Sequence, residues 1–175
     1  MTVRDVLLVT QRLEMVRRMT SEIDEYVVEL GADGRLLDLQ LQEVVTGVGS
    51  DQVLLLRDYL PDSDGYEATI TVLDEAEDAA LVDLLQLGQL MALASDIEGL
   101  DRPLSPRGYR LLGRVPRLPE PVVQRLIEHF GSLQKLLAAS IDDLQSADGV
   151  GEARARSVRD ALSRLAESSI LDRYQ

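Results

Sequence analysis

The chain has 175 residues with 18 Lys+Arg against 31 Asp+Glu, a formal net charge of −13 and a pI of about 4.4. It contains no Cys and one His, His129, which excludes disulfides, thiolate-ligated zinc, iron–sulfur clusters, thiol catalysis and multi-His metal centres. At 45% hydrophobic it can bury a core, and a chain of this length hides roughly two-thirds of its unfolded surface. With no Trp, one Phe and five Tyr, composition favours helices over a β-sandwich. No apolar run reaches the length of a membrane span and the N-terminus is not a signal peptide, so a soluble, cytoplasmic protein is expected. All but one of the basic residues are arginine, the exception being Lys135. That bias fits base composition and is given no functional weight.

Charge divides the chain. Residues 1–100 hold six Arg and 21 acids, a balance of −15, and residues 101–175 hold twelve basic side chains and ten acids, a balance of +2. The acidity belongs to one half, so it does not exclude a nucleic-acid partner for the other. The stretch from Ser95 to Pro103 loses periodicity and reads as a linker, giving domains 1–100 and 101–175.

In chain order, Thr2 is placed to cap a helix carrying Val6, Val9, Leu13 and Val16. Ser21 is read as the start of a second, shorter helix closed by Gly31. Leu36–Val45 alternates like a strand in part, but its Gln/Glu content and flanks favour helix. Asp51–Leu60, capped by Ser50 and stopped by Pro61, follows. A loop spans Pro61–Gly65, a short segment Thr71–Ala76, and a strongly apolar helix Leu81–Leu93. Met15 and Met19 read as core or interface filler. Asp62-Ser63-Asp64-Gly65 has the composition of a calcium loop, but the sixth and twelfth positions are Glu67 and Leu73 where Gly and Glu are needed. Asp74, Glu75, Glu77 and Asp78 are expected on an exposed helix face or first turn, with no metal and no catalytic constellation.

The second half contains a 32-residue repeat. Val115–Pro121 aligns with Ala147–Ala153, Leu126 with Val158 and Phe130 with Leu162. In the first copy, Ser105 caps Pro106–Leu112 and a second helix covers Val122–Phe130; in the second, Ile141–Ser146 leads into Glu152–Ala166. Gly131-Ser132 and the connector Leu133–Ala139 lie between. Each copy is a short helix, a tight turn and a longer amphipathic helix. Gly149-Val150-Gly151 with Ala155 four residues on is a helix-hairpin-helix signature. The glycines permit backbone angles and close approach that a Cβ obstructs, and Val150 points inward. The amides at the turn and the next helix start form an anion site. Ala155, Val158, Leu162 and Leu165 form a packed stripe, leaving Arg154, Arg156 and Arg159 within reach of phosphates. The first turn, Arg117-Leu118-Pro119, lacks both glycines and one amide donor. Arg114, Arg117 and Arg125 are candidates to compensate with charge, and simple structural support is the equal alternative. Tyr109, between Arg107 and Arg110, either stacks on a base or packs the hairpin. His129 is placed to meet the last carbonyls of its helix.

These motifs carry a resemblance. Ser105-Pro106-Arg107-Gly108-Tyr109-Arg110, Val115–Pro119 and the Gly149-Val150-Gly151 hairpin resemble the C-terminal part of the DisA family of DNA integrity scanning proteins. Val3–Val6, Gln11–Glu14 and Val16–Arg18 are similar to the start of that family's helical middle region. The resemblance implies an all-α fold, a helical bundle followed by a tandem helix-hairpin-helix domain, and a DNA partner, branched forms such as Holliday junctions included. It also implies a repair or recombination partner, a homo-octameric parent, and a diadenylate cyclase domain that condenses two ATP into cyclic di-AMP with a divalent metal. The cyclase motifs Asp-Gly-Ala and Arg-His-Arg do not occur in these 175 residues, Asp33-Gly34-Arg35 being the nearest string. The chain is therefore expected to need no cofactor and to catalyse nothing by itself. The alternative function is an assembly module whose hairpins only pack.

Overall fold

The computed structural model describes residues 1–30, 34–60 and 65–171, and the chain divides into two compact units between Leu104 and Ser105. Among the described residues there is no strand. The first unit contains α1 (Val3–Leu30), α2 (Gly34–Val45), α3 (Val48–Tyr59), α4 (Gly65–Glu75), α5 (Asp78–Val82), α6 (Leu84–Leu90) and a 3₁₀ turn at Glu98–Asp101. The second contains α7 (Tyr109–Leu112), α8 (Glu120–Phe130), α9 (Leu133–Ala138), α10 (Ile141–Gln145) and α11 (Glu152–Leu171).

Helix α1 starts where Thr2 predicts. Its hydroxyl and amide donate to Asp5, and the Asp5 amide donates back to Thr2 Oγ1 at 3.3 Å. The helix does not stop at Ser21. No Gly or Pro lies between residues 3 and 30, and the neighbouring Thr20 hydroxyl donates to Val16 O at 2.8 Å, a helix-internal bond that replaces capping. Gly31 lies outside the described residues. Val3, Val6 and Leu7 pack with Leu55, Leu56, Leu73, Leu81, Leu87 and Leu100 into one core. Each such fully buried leucine contributes about 2 kcal/mol of transfer free energy. Met15 and Met19 are 44% and 53% exposed, so they are not core. Leu36, Leu37 and Leu39 also face solvent, which explains why their spacing reads ambiguously although α2 is a helix.

Three boundaries differ from expectation for local reasons. Helix α3 begins at Val48 behind a left-handed Gly47, whose carbonyl accepts the Ser50 hydroxyl, so Ser50 is inside the helix and does not cap it. Gly65 belongs to α4 and not to a loop, while 61–64 lie outside the described residues. The apolar run Leu81–Leu93 is broken at Asp83, whose extended backbone and carboxylate cap the Leu85 and Gln86 amides at 2.8 and 3.2 Å. Gln11 Nε2 donates to the Leu81 and Val82 carbonyls that the break exposes.

Residues 101–104, grouped by charge with the second half, pair with the N-terminus. Val3 N donates to Arg102 O and Leu104 N to Met1 O, both at 2.9 Å, around a Thr2–Pro103 bridge, and Arg4 meets Asp101 at 3.1 Å. In the second unit α7 is a single turn that starts only after Gly108, at φ 122°, so Ser105 does not cap it. Helix α8 begins at Glu120 with Pro121 in its first turn, a position where a missing amide costs nothing.

Candidate nucleic-acid interface

The 32-residue repeat is a repeat of backbone geometry. Leu112 and Leu144 are both buried, as are Val115 and Ala147, Val123 and Ala155, and Leu126 and Val158. Leu118 N donates to Val115 O at 3.4 Å, and Val150 N to Ala147 O at 3.1 Å. Arg117 has φ 59° where Gly149 has φ 73°. The first turn thus keeps the left-handed step without the residue suited to it. Leu118 is half-buried, whereas Val150 is 5% exposed and anchors its turn as expected.

The two glycines of the second turn are glycines for different reasons. Gly149 is left-handed, and a Cβ there would lie 2.8 Å from both Cζ and Nη2 of Arg125. Gly151 has no positive φ, and among the described residues nothing lies within 4 Å of where its Cβ would be. Its carbonyl accepts the Ala155 amide at 3.0 Å, making it the N-cap of α11. The amides of Gly151, Glu152, Ala153 and Arg154 are then the four that an α-helix leaves without internal acceptors. Among the described residues the Gly149 amide has no protein acceptor either. Open space, five free donors and the positive end of a 20-residue helix meet at this turn.

The candidate arginines are placed unequally. Arg154 is exposed and donates to Gly149 O at 3.1 Å, across the turn. Arg156 pairs with Glu152 one turn back, and Arg159 donates to Leu137 O at 2.8 Å, bracing the end of α9. Arg114 and Arg117 are exposed beside the first turn. Arg107 and Arg110 are half-exposed, with the Arg107 guanidinium 5.5 Å from the Tyr109 ring centroid. Tyr109 is 1% exposed and its hydroxyl donates to Gln124 at 2.7 Å, so it packs the hairpin and has no face left for a base. Arg125, expected to serve the first turn, lies against the second. His129 does not seek its helix carbonyls; its Nε2 is 3.1 Å from Ser146 Oγ, tying α8 to the end of α10. The Leu165 side chain lies outside the described residues.

Helix α10 opens with a capping box. The Ser140 hydroxyl and amide donate to Asp143, holding that carboxyl below the usual carboxylate range. In the first unit, sequence reasoning missed Glu14. Its side chain is fully buried, accepts from Arg17, Arg18 and Gln52, and lies in a network that Asp74 and Asp78 extend. Burial alone would push its carboxyl up, but the hydrogen bonds from Arg17, Gln52 and Arg18 outweigh it and hold it below its ordinary value. Asp74 and Asp78 therefore neutralise arginines besides decorating helix ends. Among the described residues no group of three or more His, Asp and Glu is arranged to hold a metal ion, and no helix is long and apolar enough to cross a membrane.

Two hairpins repeated about one small core define the class, a tandem helix-hairpin-helix domain, and residues 114–164 match the family model for the SAM-like helix-hairpin-helix tandem. Residues 1–99 match the model for the DisA bacterial checkpoint controller linker region. Over 99% of its length the chain is 57% identical to the DNA integrity scanning protein DisA of Streptomyces griseus and to that of Frankia alni, and 58% identical to that of Acidothermus cellulolyticus. The alignments cover 48%, 49% and 48% of those proteins, so the chain spans about half the length of the curated relatives it matches. The chain belongs to the DisA family.

Proposed function

We propose that the second unit binds DNA without reading its sequence, through phosphate contacts at the Gly149–Gly151 turn. The observation that carries this reading is Gly151. Its φ is not left-handed and, among the described residues, its Cβ position is empty, so the turn leaves room for a ligand to approach the backbone. Backbone amides and a helix N-terminus recognise phosphate and carry no base information. Arg154 stands beside the turn, Val150 anchors it, and Arg156 and Arg159 follow on α11. Arg107, Arg110, Arg114 and Arg117 add charge from the first hairpin, which has no comparable amide set because Pro119 replaces one donor. Branched DNA such as a four-way junction is the proposed substrate. In the whole family protein this binding would govern synthesis of cyclic di-AMP from two ATP by a diadenylate cyclase domain.

A competing reading, an assembly module whose hairpins only pack, draws on Arg156 and Arg159 being engaged within α11 and α9. A salt titration of binding to duplex and four-way-junction DNA separates the two. Phosphate contact gives a log–log slope of about −0.9 per contact on duplex DNA, and a packing module gives no DNA affinity at any salt.

A further inference from the structure

We infer that Arg125, a residue of the first hairpin's long helix, is the cationic half of the second hairpin's phosphate site, so that the site is composite across the repeat. The inference rests on the DNA-binding reading above and deepens it. Arg125 stands on α8, 24 residues before Gly149, yet its guanidinium lies directly over that glycine. A methyl group on Gly149 would strike Cζ and both Nη atoms at 2.8–3.0 Å.

The guanidinium side chain is 38% exposed, and it lacks a good protein partner where it sits. Among the described residues its Nε is buried without a hydrogen-bond partner. The ion-pair contact, Nη1 to Asp148 Oδ2, is 3.8 Å, too long for a hydrogen bond, and the Asp148 side chain is 94% exposed and well solvated. The placement is also unfavourable electrostatically. A cation is repelled by the positive end of a helix, and this one stands at the turn that opens α11. An anion seated on the turn reverses the electrostatic term and gives the Nη groups the charged partner they lack. It accepts from the open amides of Gly149 and Gly151, neutralises the guanidinium, and offers the planar Arg125 fork two charged oxygens. A phosphodiester has that charge and those oxygens.

The test uses the full chain and a labelled duplex, titrated between 50 and 300 mM salt. Arg125→Ala should bind roughly tenfold more weakly, the order of one lost charged hydrogen bond, and its log–log salt slope should flatten by about 0.9. Arg125→Lys should keep the slope, since charge still reaches the phosphate, while recovering only part of the affinity. Arg154→Ala in parallel checks the underlying reading. If the parent chain shows no salt-dependent DNA binding, that reading fails and this inference with it. If the parent binds and Arg154→Ala weakens it, but folded Arg125→Ala keeps both affinity and slope, the composite site alone is overturned. If Arg125→Ala weakens binding with an unchanged slope, its role is structural and the inference is likewise overturned. Should Arg125→Ala not fold, Arg125→Gln preserves the packing and must show the same loss of slope.

Discussion

Gly151→Ala and Gly149→Ala should part company, because one glycine is demanded by the fold and the other is not. At Gly151 an added methyl meets no atom within 4 Å. Alanine is a poorer N-cap than glycine, by about 1 kcal/mol, but it also lowers unfolded-state entropy by roughly 0.4–1 kcal/mol. The two largely offset, and the melting temperature should move by a few degrees at most. At Gly149 alanine must hold φ near 73°, costing about 1–2 kcal/mol, and must also displace the Arg125 guanidinium from 2.8 Å. Melting should fall by several degrees. DNA affinity should not follow that order. Gly151→Ala places a methyl in the open space over the amides and should weaken binding on the order of tenfold while the protein stays folded. Thermal melts by circular dichroism, run beside fluorescence anisotropy with a labelled duplex, measure both quantities on one preparation. A folded Gly151→Ala protein that binds like the parent at every salt concentration would refute the amide cradle.

The left-handed Arg117 should gain from glycine. Arg117→Gly removes about 1–2 kcal/mol of strain against a glycine entropy cost of about 0.5–1 kcal/mol, so urea unfolding should show a net gain of no more than about 1.5 kcal/mol. Glu14→Ala should destabilise the first unit by about 2–3 kcal/mol in the same assay, less than a wholly buried ion pair because Arg17 and Arg18 keep some solvent. Since the folded Glu14 carboxyl titrates below its ordinary value, its contribution is complete at neutral pH and above that ordinary value. It is lost as pH falls through the lower, folded one. Glu14→Gln should therefore flatten the acid side of the stability–pH profile, and an unchanged profile would count against the network.

What the sequence made legible is what local stereochemistry encodes. The second hairpin could be placed because Gly149, Val150 and Ala155 each answer a constraint within one turn, with Gly151 completing the motif. The 32-residue offset even carries the left-handed step onto Arg117, a consequence available from the alignment alone. Caps were harder. Thr2 was readable, whereas Ser21 and Ser50 look like caps but lie inside helices, because no breaker precedes Ser21 and Gly47 already starts α3. Asp83 in an apolar run was a cap signal outweighed by its neighbours' periodicity. Contacts between distant residues left no trace. Arg125 reaches Gly149 across 24 residues, and Glu14 is buried by Gln52 from 38 residues away, where an isolated glutamate on a helix reads as solvated.

The bridge between Thr2 and Pro103 sets how the first unit carries a load. Its first and last residues run as neighbouring antiparallel segments, so the unit is closed on itself by a clasp. Tension applied at Met1 and at Leu104 falls on the clasp, on two backbone hydrogen bonds and the Arg4–Asp101 pair, and is shared with the Tyr59–Met1 contact and the packing of Leu104 against the core. A displacement at one end of the unit therefore has a short path to the other across the clasp, beside the longer path through the bundle. The helices can differ in stability or loosen locally without slackening that connection.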